Sequence, residues 1–137
     1  AGLVLDTGVL TAEQVDLMLT HLPVDISFVD ENDTVRYYSA TAERIFPRSP
    51  GVIGRKVQNC HPPKSVDVVE RILAAFRSGE RDEAAFWIES QGRFIHIRYF
   101  AMRDKRGAYR GALEVTQDAT GIRALRGERR LLDGDKE

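Results

Sequence analysis

The run VQNCHPPKSVDVVERILAAFRSG, from Val57 to Gly79, separates two groups of strand-like segments. A helix in that place constrains the fold more than any other feature of the chain. Val66, Val69, Ile72, Leu73 and Phe76 fall on one helical face. Pro63 suits the helix start, where a missing N–H costs little, and Ser65 is a second candidate cap. Gly79 is a natural stop. Asp67 near the start and Arg77 near the end both suit the helix dipole. The helix is therefore expected to be buried against a sheet. A polar loop leads into it, with the only cysteine, Cys60, beside His61 and then Pro62-Pro63.

Upstream, residues 1–10 read as irregular. Thr11 then caps a helix, with Gln14 at the capping-box position and Val15, Met18, Leu19 and Leu22 as an apolar stripe that Pro23 ends. DISFVDENDTVRYYS reads as a hairpin that turns at Glu31-Asn32-Asp33. Strict alternation on its return strand places Val35 and Tyr37 on one face, Arg36 and Tyr38 on the other. SATAERIF reads as a short helix capped by Ser39 or Thr41, and residues 52–57 as one helical turn.

Downstream come three strands, over residues 83–89, 94–102 and 109–117. The middle strand carries large groups on both parities, so both sheet faces are expected to be covered in part. One cover is the long helix; the other is helix 11–22 or a second subunit. TGIRALRGERRLLDGDKE then reads as an exit helix or linker with a sparse apolar seam at Ile122, Leu125 and Leu132. The expected architecture is α+β, a five-stranded antiparallel sheet with helices on one face and flanking helices at both ends. The expected divisions are a flanking segment over 1–22, the domain proper over 23–120, and an output helix or linker over 121–137.

Composition narrows the class. The chain has 137 residues, 42% apolar and 30% charged, enough for one soluble core. A net charge of −1 gives no global pull toward nucleic acid or an anionic membrane. No apolar run approaches a membrane span. A single cysteine fits the cytoplasm. The sequence opens at Ala1 without a methionine, which suggests a piece of a longer protein with an upstream domain.

DISFVDENDTVRYYSATAERIF resembles the first hairpin and following helix of a PAS domain, with Asp30 before the turn, Ser39 opening the helix and Phe46 after it. FIHIRYFAMRDKRGAYRGALEVTQDAT resembles the closing hairpin, with Asp104, Gly107 and Gly111 where the family turns. Asp118-Ala119-Thr120 resembles the Asp-x-Thr that joins the last strand to an output helix. The wording RIFPRSPGVIGRKVQNCHPPKS is similar to the PAS domains found at the C-terminal end of bacterial proteins with a hemerythrin-like cation-binding domain. The resemblance implies a sensory or interaction module, a non-enzyme that dimerises, binds a small ligand or none, and signals through its terminal helix.

Two readings stand for each reactive group. His61 is a candidate ligand to haem iron, or a loop histidine bonded to backbone. Cys60 is a redox thiol or a small buried hydrophobe; no second cysteine exists to resolve it. His96 and Arg98, with Glu114 across from them, form a ligand row or a cross-strand charge ladder. Tyr37, Phe46, Phe76, Trp87 and Tyr99 are the candidate aromatic lining of a ligand pocket between the sheet and segment 46–76, or simply core. Arg123, Arg126, Arg129 and Arg130 read as a solvated face rather than a nucleic-acid site, because Glu128, Asp133 and Asp135 interleave. Two alternatives to the sensor remain, a ligand-free homodimerisation module and a small enzyme using Cys60 or His61.

Overall fold

A computed structural model describes residues 2–132. Its centre is a five-stranded antiparallel sheet. The strands are β3 (Asp25–Asp30), β4 (Val35–Tyr38), β5 (Glu83–Ser90), β6 (Arg93–Arg103) and β7 (Tyr109–Asp118), in the order β4-β3-β7-β6-β5. Helix α2 (Pro63–Ser78) crosses one face between β4 and β5. It ends on Gly79 at φ 81°, the left-handed conformation that glycine adopts without cost. Val69, Ile72, Leu73 and Phe76 of α2 are buried against Val29, Ala84 and Ala112 of the sheet. The carbonyl of Phe76, in the last turn, accepts from the Gly79 N–H and from Arg103 Nη2 at 2.6 Å.

The β3–β4 and β6–β7 turns each rest on an aspartate. Asp30 Oδ1 accepts from the N–H groups of Asn32 and Thr34, and Asp104 Oδ1 accepts from those of Arg106 and Ala108. Burial pushes the Asp30 carboxyl up, but the bonds from Arg36, Thr34 and Asn32 outweigh it and hold the pKa below the usual carboxylate range.

Helix α1 (Ala12–His21) carries the expected capping box, with Thr11 Oγ1 accepting from Gln14 N–H and Gln14 Oε1 accepting from Thr11 N–H. No residue of α1 is fully buried, and Met18 of its apolar stripe is exposed.

Four segments differ from the sequence expectation. Residues 3–10 are not irregular: β1 (Leu3–Leu5) and β2 (Gly8–Leu10) pair through a two-residue turn at Asp6-Thr7. Lys105 Nζ reaches Asp6 from the β6–β7 turn.

SATAERIF is not helical, because two side chains supply the bonds a helix would make internally. The buried Asp25 carboxylate accepts from the Ile45 N–H and the Thr41 hydroxyl. Arg44 donates to the carbonyls of Ser39 and Phe46. Ser39 is no helix cap. It is fully buried, and its hydroxyl accepts from the Ile26 N–H at the end of the β3–β4 ladder.

The helical turn expected at 52–57 is replaced by two 3-10 turns, Pro50–Val52 and Val57–Cys60. Between them the chain runs beside β4: Gly54 N–H donates to Val35 O, Val35 N–H to Arg55 O, and Val57 N–H to Asp33 O. That run covers an otherwise open sheet edge.

The exit helix is one turn only, α3 (Thr120–Arg123), followed by irregular chain with Gly127 at φ 64°. Ile122, Leu125 and Leu132 stay exposed, so no packing offsets the cost of nucleation or of the two glycines. The remainder of that expected helix, 133–137, lies outside the described residues. At the junction Asp118 Oδ1 accepts from both the N–H and the hydroxyl of Thr120, and Thr120 Oγ1 accepts from Phe94 N–H. The end of β7 is thereby tied to the start of β6.

Candidate ligand cavity

A cavity of about 50 Å³ lies between α2, the sheet and the loop 46–61. Its walls are mainly aliphatic, with Val29 and Val35 from the sheet, Val57 from the loop, and Val69 and Ile72 from α2, joined by the Tyr38 ring. One end is polar, formed by Ser27, Arg48, Cys60, His61, Tyr99 and Glu114.

Strand register brings the sheet residues together. Glu114 of β7 lies opposite Tyr99 on β6 and Ser27 on β3, so all three point to the α2 side. The Tyr99 hydroxyl donates to the Glu114 carboxylate. Burial, then the charge of Glu114 and that bond, raise the tyrosine's pKa far above its ordinary value. Arg48 Nη2 stands 3.5 Å from Glu114 Oε1. His61 closes the second 3-10 turn in extended conformation, as a residue before proline must. The Cys60 thiol is half-buried and donates to the Lys56 carbonyl at 3.6 Å, not to His61.

Burial holds the His61 imidazole below the ordinary histidine range; Glu114 pulls it up less strongly, and Arg48 pushes it down. The sign of the pH effect follows. A depressed folded-state pKa gives stability that is whole above the unfolded value of about 6.5 and is lost as pH falls through the lower folded value. His61→Gln is therefore expected to flatten the fall in Tm between about pH 7 and about pH 5. An unchanged slope in melts across that range would show that His61 is not the group being protonated.

Of the residues singled out from sequence, Cys60, His61 and Tyr99 meet at the cavity. Tyr37, Phe46, Phe76 and Trp87 do not line it. Phe76 is sealed in the core below. Trp87 projects from the opposite sheet face, 65% exposed, while its neighbours Phe86 and Ile88 share the parity of Ala84 on the α2 side. Tyr37 is turned away by a bulge: Phe28 pairs with Tyr37 but Val29 pairs with Val35, so Arg36 is the extra residue. Val35 and Tyr38, not Val35 and Tyr37, share the cavity side. The expected row of His96, Arg98 and Glu114 is split by the same parity rule. His96 pairs with Gln117 and Arg98 with Val115 on the outer face, whereas Glu114 faces inward.

Sequence reasoning missed Arg48 and placed Glu114 on the wrong face. A charged residue between Leu113 and Val115 is a visible signal, but its meaning depends on register. Arg48 sits between two prolines in a loop and carries no periodic signal at all.

A haem does not fit this site. About 50 Å³ holds roughly three to five water-sized groups, far less than a macrocycle. Among the described residues no group of three or more His, Cys, Asp or Glu is placed to hold a metal ion. Also among them, no helix is long and apolar enough to cross a membrane.

An antiparallel sheet with one crossing helix and a small cavity beneath it defines an α+β architecture. The sequence profile of the PAS domain matches residues 15–120, and the chain belongs to that family. A C-terminal domain from Streptococcus mutans is 36% identical, with a TM-score of 0.85 over 89% of this chain and 95% of that one. The PAS domain of a Colwellia psychrerythraea protein shares the fold at 16% identity and a TM-score of 0.58, over 80% of this chain and 97% of that one. The PAS domain of Bordetella pertussis BvgS does so at 15% identity and a TM-score of 0.58, over 77% and 84%. No protein of curated function matches in sequence.

Proposed function

We propose that this PAS domain is a sensory module that takes a small ligand into the cavity between α2 and the sheet and passes its occupancy to a linked domain. The observation that carries the reading is the polar end of Arg48, Glu114, Tyr99 and His61 in a mainly aliphatic interior. A packed core has no use for a loosely matched ion pair, whereas a binding site does. Occupancy reaches the exit by a short route. Glu114 lies four residues before Asp118 on β7, and Asp118 holds Thr120 at the start of α3. The same fold in a sensor histidine kinase from Vibrio cholerae supports the signalling role by analogy of fold alone. The reading is of a cytoplasmic binding module, not an enzyme; the Cys60 thiol donates to the Lys56 carbonyl rather than to His61, which supports it.

A second reading, homodimerisation, rests on a separate observation. Leu17 and Met18 of α1 and Trp87 and Met102 of the outer sheet face are exposed apolar groups. The two readings are compatible.

One experiment addresses the first. Thermal melts of the native chain and of Ala112→Leu, which fills the cavity wall, are compared across a set of small compounds. At least one compound is expected to raise the Tm of the native chain and not of the variant. If none separates the two proteins, the ligand reading fails. Sedimentation equilibrium of the native chain decides the second reading, and a monomer at high concentration removes it.

A further inference from the structure

Of the side chains that line the polar end of the cavity, Arg48 is the cation and Glu114 the anion; Arg44, outside the lining, also acts on Glu114 but is committed to the carbonyls of Ser39 and Phe46. Arg48 and Glu114 are 3.5 Å apart, with side chains 26% and 14% exposed. That separation is longer than the 2.7–2.9 Å of a well-made charged hydrogen bond. The Tyr99 hydroxyl also bonds the Glu114 carboxylate, which stands on β7, whereas Arg48 is on a loop. Among the described residues, Arg48 Nη1 donates to the carbonyl of its neighbour Pro47, at 3.3 Å. Burial lowers the pKa of the His61 imidazole beside this pair.

A ligand entering that end has to bridge the pair or part it. An anion would satisfy Arg48 and face Glu114. A cation would satisfy Glu114 and face Arg48. Either sets a like charge against one half-buried member of the pair and separates it from its partner, the costly outcome for such a pair. A molecule that carries both charges a few bonds apart meets both. Size sets the other limit: room for roughly three to five water-sized groups, with Val57, Val69 and Ile72 to receive a short apolar substituent.

Resting on the cavity as a ligand site, we propose that it takes a small zwitterion, an α-amino acid of glycine or alanine size, with its carboxylate on Arg48 and its ammonium on Glu114.

The test is a ¹H–¹⁵N NMR titration of the whole chain near neutral pH with four probes: alanine, ethylamine, propionate and 2-propanol. Alanine should give saturable shifts at the amides of Ser27, Cys60 and Ala112. Ethylamine and propionate each keep one charged hydrogen bond and should bind at least about tenfold more weakly. Glu114→Gln preserves shape and removes the charge, so it should lose alanine by about tenfold or more and gain propionate. A merely structural role for Glu114 would not produce that exchange of preference. Arg48→Gln should do the reverse, gaining ethylamine, and serves if Glu114→Gln does not fold. Propionate, ethylamine or 2-propanol binding as well as alanine overturns the zwitterion while leaving the cavity a ligand site. No saturable shift with any probe overturns the zwitterion, and the compound set above then decides whether the cavity binds anything.

Discussion

Gly111→Ala is expected to lower stability by on the order of 3 kcal/mol or more, read as a fall in the urea midpoint at an unchanged m-value. Two costs add. Gly111 has φ 137°, a backbone region that residues with a side chain rarely adopt. A Cβ there would stand 2.2 Å from the Val29 carbonyl oxygen and 2.9 Å from Phe28 Cε1. The first contact is backbone on the neighbouring strand, so it cannot be relieved by a rotamer change. β3 and β7 would have to part where Gly111 pairs with Asp30 and Ala112 with Val29. Gly107→Ala separates the two terms. Gly107 has φ 82° with nothing within 4 Å of its Cβ position, so it carries the conformational cost alone, about 1 kcal/mol. Equal losses for the two variants would show that the close approach of β3 contributes nothing.

Gly111 also shows where the sequence reading stopped. From sequence it looked like a turn residue of the closing hairpin, but it lies inside β7 where that strand presses on β3. Periodicity alone was sufficient for α2, for the three closing strands and for the Thr11–Gln14 capping box, because each is encoded within its own segment. Features set by contacts between segments were not legible. The β3 bulge exchanges Tyr37 for Tyr38 at the cavity, and nothing in DISFVDENDTVRYYS marks it. The SATAERIF segment has helical composition, but Asp25, some twenty residues earlier, claims its N–H and hydroxyl groups. The exit segment has helical composition too, and lacks a surface to lie on. Half of the polar end of the cavity was visible as Cys60, His61 and Tyr99. Arg48 and the inward facing of Glu114 required the register of β7 and the path of the loop.

In the sequence Phe76 and Trp87 are equivalent candidates for an aromatic lining, and the structure separates them completely. Phe76 is 0% exposed at the centre of the core, with Leu73 and Ile72 one turn away and Ala84 and Ala112 beneath. Trp87 stands on the outer face. Phe76→Ala is therefore expected to cost about 3–5 kcal/mol, the range for emptying a rigidly walled aromatic site. The walls are a helix and a hydrogen-bonded sheet, and the Phe76 carbonyl is pinned by Arg103, so the site has little freedom to collapse. Such a loss is a large part of the roughly 5–15 kcal/mol that holds a domain of this size, and the variant should be partly unfolded at modest urea. Trp87→Ala should change stability by no more than about 0.5 kcal/mol in the monomer. The pair also distinguishes core from site. Since Phe76 does not line the cavity, any compound that stabilises the native chain should stabilise folded Phe76→Ala by a similar shift in Tm. A Phe76→Ala protein that keeps its stability but loses the ligand response would return Phe76 to the pocket and place the cavity deeper under α2 than its present walls.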